Sequence, residues 1–105
     1  MVEHGSPTPP FAKGGAIPSP NMYYVYLMKT LKSEKKKFYI GFSSDLKLRF
    51  KQHDNGDVEA TRYGIPWLLI YYEAYSSKKL AEEREKKLKQ FGSAYIGLLK
   101  RLGYN

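Results

Sequence analysis

Three apolar runs rich in aromatic residues punctuate this chain, and two stretches of helical period lie between and after them. Met22–Lys29 (MYYVYLMK) and Trp67–Tyr75 (WLLIYYEAY) are dense in strand-forming residues, and Phe38–Phe42 is a shorter run of the same kind, so all three read as strands. Thr30–Lys37 is polar, contains Lys35-Lys36-Lys37 and predicts a hairpin loop. After Phe42 the period changes. Ser44 or Asp45 can cap a helix over 45–54, Asp45 suits its positive end, and Asn55-Gly56 stops it. At about 100° per residue, Leu46 and Phe50 share a stripe, Arg49 and His53 border it, and Lys47, Lys51 and Asp54 lie opposite. Residues 55–66 read as a polar connection ending at Pro66. Ser76 or Ser77 caps a second helix running to about Gln90. Its inward face is Leu80, Ala81, Leu88 and Phe91, with Arg84 in the middle, its stem buried and its head paired. Gly92-Ser93 opens a last short helix, Ala94–Leu102. The order β-β-α-β-α-α predicts an α+β fold, a small three-stranded, mainly antiparallel sheet flanked by helices.

Composition divides the chain once. Residues 1–21 hold all but one of the six prolines and three of the nine glycines, a composition that predicts a disordered tail, dispensable to a domain at 22–105 that opens at Met22. The tail has one Lys and one Glu, so the net charge of +8 belongs to the domain. Such a charge points to a polyanionic partner, nucleic acid ahead of a membrane surface. The absence of cysteine excludes disulfides, thiol nucleophiles and Cys-based zinc sites. No run has the apolar length of a membrane helix and no signal peptide is legible, so a cytoplasmic location is expected.

Candidate chemistry gathers at Tyr39–His53. Gly41 reads as a tight turn where a Cβ would obstruct the backbone. An Arg and a His four residues apart at the border of a buried helical face would share a pocket with the tyrosine at the strand end. Trp67 reads as core, and Glu73 as a sheet-face carboxylate paired with Arg84. Taken singly, the other residues also have ordinary structural readings: strand aromatics for Tyr26 and Tyr39, a solvated Arg49, a helix-end His53, and a surface ion pair between Glu85 and Lys89.

Together they form a recognisable series. Tyr24-Val25-Tyr26, a loop, and then Tyr39-Ile40-Gly41 resemble the paired signature of GIY-YIG nuclease domains. The likeness continues through Arg49, His53, Pro66-Trp67, Tyr71-Tyr72-Glu73-Ala74-Tyr75 and the helix Ala81–Lys89. It covers residues 22–105 and is greatest to small stand-alone bacterial members, similar in turn to the catalytic domain of the excinuclease C subunit. The resemblance implies a cleft holding Tyr26, Tyr39 and Arg49 with a metal-binding Glu from a later helix. Periodicity turns Glu82 away and leaves Glu83 and Glu85 flanking the apolar face. Ala81-x-x-x-Glu85-Lys86-Lys87-Leu88-Lys89 is similar to the family's pattern and selects Glu85.

What the resemblance implies is a divalent-metal-dependent endonuclease hydrolysing DNA phosphodiester bonds by attack of water, in repair or processing. With no second domain to read a sequence, structure-selective or weakly specific cutting is expected. Glu85 suits one Mg²⁺ or Mn²⁺ and Arg49 can fork onto a phosphate. The group that takes the proton stays open and the roles are assigned as a unit; between the tyrosines, Tyr26 is favoured as base and Tyr39 as orienter. His53, near 6.5 when unperturbed, is the better-matched proton acceptor and can hydrogen-bond a tyrosine hydroxyl; if the imidazole takes the proton, the rate is expected to rise between about pH 6 and 7. Lys35, Lys36, Lys37, Lys47, Lys51 and Arg62 are the expected nucleic-acid contacts. Branched or duplex DNA is the expected partner, RNA the second choice. Phe42 and Leu48 stand where many members carry basic residues, which sustains a second reading: a nucleic-acid-binding module of the same fold with little or no cleavage.

Overall fold

In the computed structural model, residues 22–32 and 36–104 are described; the tail 1–21 and Lys35 lie outside the described residues. Strand β1 is Tyr23–Thr30, β2 Phe38–Ser43 and β3 Trp67–Tyr75, and the helices are α1 Leu46–Asn55, α2 Lys78–Leu88 and α3 Ser93–Arg101. Both pairings of the sheet are antiparallel and the strand order is β2-β1-β3. The predicted α+β architecture is therefore the one observed, with β1 in the middle and β2 at an edge.

Strand β1 is the axis of the fold because both of its faces are apolar. Val25 and Leu27 pack with Ile40 against Ala81, Leu88 and Leu98 of α2 and α3. Tyr24, Tyr26 and Met28 point the other way, into a second cluster with Leu46 and Trp67. Strand alternation thus deals one short sequence into two cores. Each fully buried large side chain contributes about 1.5–3 kcal/mol. The β1–β3 register shifts between Leu27, opposite Tyr71, and Met28, opposite Leu69, leaving Ile70 without an opposite residue.

Helix ends follow short polar side chains. Asp45 accepts from Leu48 N at 3.1 Å and Ser77 from Leu80 N at 3.1 Å; Gly56, at φ 84°, closes α1. Arg84 crosses from α2 to β3, donating Nε and Nη2 to Glu73 at 2.9–3.0 Å, while Tyr71 and Tyr75 each donate to the same carboxylate at 2.6 Å. Burial alone would raise the Glu73 carboxyl; the Arg84 and tyrosine hydrogen bonds outweigh it and hold the group below its ordinary value. The pairing expected of Arg84 and Glu73 is present.

One element departs from the sequence reading. The connection 55–66 contains a 3-10 helix, Glu59–Gly64. Long-range contacts order it: Trp67 Nε1 donates to Thr61 O at 2.8 Å, and Thr30 Oγ1 donates to Gly64 O. Trp67 also lies so close over Gly64 that a Cβ there would collide with its ring. Among the described residues, no helix is long and apolar enough to cross a membrane.

Candidate active site

The site begins with a missing methyl group. Gly41 is opposite Tyr26 in the β1–β2 ladder, and a Cβ on it would collide with Cζ, Cε2 and the hydroxyl of Tyr26. Gly41 is therefore not the tight turn that the sequence suggested. It lies inside an edge strand, where its bareness lets the Tyr26 ring cross over the backbone and carry its hydroxyl toward the free edge of β2.

Tyr26 is buried, 1% exposed, and His53 wholly so at 0%. His53 sits nearer the middle of the inward face of α1 than the border position expected. The Tyr26 hydroxyl lies 2.7 Å from His53 Nε2, and His53 Nδ1 lies 2.8 Å from Thr61 Oγ1. The Thr61 hydroxyl in turn donates to Val58 O at 3.3 Å. Assigning the Thr61 proton to Val58 O makes Thr61 the acceptor of Nδ1–H, leaves Nε2 its lone pair, and makes Tyr26 the donor to it. The three side chains form a one-way chain: Tyr26 to His53 to Thr61.

Burial, and then the charge of Arg49, pull the His53 pKa down to about 4. The expected rate rise between pH 6 and 7 therefore has no source in His53, which is already neutral there. Burial pushes the Tyr26 phenol well above its ordinary value; a hydrogen bond from Arg49 opposes that, and Tyr39 and Glu85 add to the rise. At neutral pH Tyr26 is a phenol in contact with a neutral imidazole and a cation.

Around this chain stand the other members of the series. Arg49 is half-buried, with Nη1 donating to Gln52 Oε1 at 3.2 Å. The Tyr39 ring meets His53 edge-on at 5.2 Å between centroids, and Lys89 Nζ lies 6.0 Å from the centre of that ring. Glu85 is half-buried, whereas Glu82 and Glu83 are exposed. The field of Glu85 reaches Tyr26, and its Oε2 is 3.0 Å from Lys89 Nζ. Strand β1, the edge strand, α1 and α2 thus bring Tyr26, Tyr39, Arg49, His53 and Glu85 to one place.

The family model of the GIY-YIG catalytic domain matches residues 22–97. The chain belongs to the GIY-YIG family. Two relatives are UPF0213 proteins of Streptococcus pyogenes. One, from serotype M5 (strain Manfredo), is 38% identical over 64 residues, covering 60% of this chain and 70% of the relative. The other, from serotype M3 (strain ATCC BAA-595 / MGAS315), is 35% identical over 68 residues, covering 64% and 71%. No solved structure matches the chain. Membership makes this a domain of a nuclease family.

The remaining residues that the sequence pointed to in this GIY-YIG domain are dispersed. Lys36, Lys37, Lys47, Lys51 and Arg62 are exposed. Arg62 Nε is engaged with Gly56 O at 2.8 Å, which ties the 3-10 helix to the end of α1. Phe42 stacks on Tyr23 at 6.3 Å with the planes 3° apart, and Leu48 is 50% exposed. Thr61 was not anticipated, since nothing in its local sequence separates it from the loop around it. Lys89 was legible as the partner of Glu85, but not as a neighbour of Tyr39. Among the described residues there is no cluster of three or more His, Asp or Glu able to cage a metal ion. A lone Glu85 beside the tyrosines still fits Mg²⁺, which takes few protein carboxylates and completes its shell with water and substrate phosphate.

Proposed function

We propose that this domain is a metal-dependent endonuclease that hydrolyses phosphodiester bonds in DNA, choosing its target by strand structure more than by sequence, in cytoplasmic DNA repair or processing. The observation that carries this reading is the convergence of Arg49, Glu85 and the Tyr26–His53–Thr61 chain on one tyrosine hydroxyl. Arg49 forks onto the scissile phosphate, and the phosphate's charge relieves the field that Arg49 imposes on His53. Tyr26 then accepts the proton of the attacking water as its own proton passes to Nε2, so the phenol acts as a base without first becoming a phenolate. The new P–O bond forms as the leaving P–O bond breaks; the departing oxygen takes a proton from solvent, and the imidazolium returns its proton to solvent through Tyr26, which closes the cycle. Thr61 keeps the imidazole in the accepting tautomer, and Tyr39 shapes the wall that orients the water. Glu85 would hold a divalent ion, which when bound would supply charge neutralisation on the phosphate oxygens.

The second reading, a binding module without cleavage, draws on Lys89, whose ammonium pairs with the very carboxylate that the metal needs. Cleavage of branched and plain DNA with Mg²⁺ or Mn²⁺ against EDTA separates the two. Glu85→Gln keeps the shape and removes the charge. It is expected to lower cleavage by about 10²-fold or more while metal-free DNA binding holds or rises. Glu83→Gln is expected to cut like the parent. Parent-like cutting by Glu85→Gln refutes the metal role of Glu85, and absence of metal-dependent cutting by the parent leaves the binding module.

A further inference from the structure

An open groove of about 640 Å³ adjoins the site, lined by Lys36, Lys37, Tyr39, Tyr63, Phe91 and Tyr95 among others. Aromatic side chains and lysines line it together, and Tyr39 belongs both to the groove and to the site. Tyr63 is held in the wall, its hydroxyl donating to Lys36 O at 3.0 Å and its ring meeting Trp67 edge-on at 5.7 Å.

Phe91 is the feature that an ordinary fold does not explain. It is 59% exposed and takes φ 56° in the turn between α2 and α3, a left-handed conformation that disfavours a large side chain and favours glycine. Glycine is the next residue, Gly92, yet it takes the ordinary φ of −97°. The chain thus holds an aromatic ring in the strained position and presents it to solvent. Its partner is Tyr95, whose ring meets it edge-on at 5.0 Å. Strained conformations persist only where the surrounding structure holds them, and they cluster at active sites and ligand clamps.

Resting on the nuclease reading, we infer that the Phe91–Tyr95 platform is a stacking subsite for an unpaired nucleobase. Lys36 and Lys37 hold the phosphates that flank it, and the groove leads the strand to Tyr39 at the site. Aromatic faces accept any base, and cations accept any backbone phosphate, which is the composition that single-stranded nucleic acid requires. The excess charge of +8 adds to this attraction. The preferred substrate then has an unpaired nucleotide beside the scissile bond, as in a flap, a gap or a single strand.

The test is binding in EDTA, so that cleavage does not enter it. A single-stranded oligonucleotide carrying 2-aminopurine is titrated with the full chain, in parallel with its fully paired duplex and an RNA strand of the same sequence. The expected results are quenching on the single strand, affinity about tenfold above that for the duplex, and a loss of about tenfold on Phe91→Ala confined to the unpaired strand. The RNA arm shows whether the sugar matters to the subsite. Phe91→Trp restores affinity. Phe91→Gly relieves the left-handed strain and so raises the melting temperature while still losing affinity, a pair of opposite signs that a purely structural Phe91 cannot give. Equal affinity for duplex and single strand, or unpaired-strand binding unmoved by Phe91→Ala, overturns the subsite even if the parent cleaves DNA. Discrimination without any cleavage in Mg²⁺ or Mn²⁺ sustains the subsite and removes the nuclease reading instead.

Discussion

Mild acid tests the central histidine directly. His53 is buried between Tyr26 and Thr61, and its pKa is lowered from 6.5 to about 4 by burial and by Arg49. Arg49 is the cation facing it; Tyr26, its phenol pushed up by burial, is uncharged at these pH values, and Thr61 does not titrate. The unfolded chain takes up a proton at this position below about pH 6.5, whereas the folded protein does so only near 4. The unfolded state therefore binds more protons in that window, and stability falls as the pH falls. The contribution is complete above pH 6.5. At about 1.4 kcal/mol per tenfold in proton affinity, it is reduced by about 1.3 kcal/mol at pH 5.5 and about 2.5 kcal/mol at pH 4.5. Glu73, whose folded pKa is also depressed, loses its contribution as the pH falls through its ordinary value of 4.5, so it enters only at the lowest pH and cancels against a variant that retains it. Urea unfolding at pH 7.5, 5.5 and 4.5 measures the slope, and His53→Gln supplies the reference. The variant is less stable at pH 7.5, but its stability is expected to change little between 7.5 and 5.5. His4, which lies outside the described residues, is present in both proteins and cancels. Parallel pH curves for parent and variant above pH 5 would refute a buried neutral His53.

Gly41→Ala forces a Cβ into the Tyr26 ring, which His53 and β1 hold in place. Overpacking of about 1–3 kcal/mol plus a lost hydrogen bond of about 1 kcal/mol predicts a melting temperature lower by about 10 °C or more and loss of cleavage; a variant that melts and cuts like the parent contradicts the ring-over-glycine account. Lys47→Ala with Lys51→Ala removes two exposed cations from the outer face of α1. If both touch phosphates, affinity drops and the slope of log K against log salt shrinks by about 0.9 for each, with the rate at saturating protein intact; an unchanged slope takes that face out of the DNA interface.

Much of this protein follows from local sequence physics. Alternating apolar residues set β1 apart as a strand with two buried faces. Asp45 and Ser77 are short acceptors ahead of helical periods, and both cap as such residues do. The Glu73–Arg84 pair was visible because an arginine in the middle of an apolar helical stripe must bring its charge to a partner. Other features belong to the tertiary structure because their causes are far apart in the chain. Gly41 looks like a turn until β1 lays Tyr26 across it, from fifteen residues upstream. Thr61 is one more polar loop residue until Trp67 and Thr30 wind that loop into a 3-10 helix and aim its hydroxyl at His53. His53 has an ordinary imidazole's proton affinity in the sequence and a depressed one in the fold, because desolvation and the field of Arg49 exist only after α1 docks on the sheet. Helical period placed Phe91 on the inward face of α2; the turn that ends the helix carries it out to solvent instead. Periodicity reports which way a side chain leaves its own element, and only packing decides what it meets.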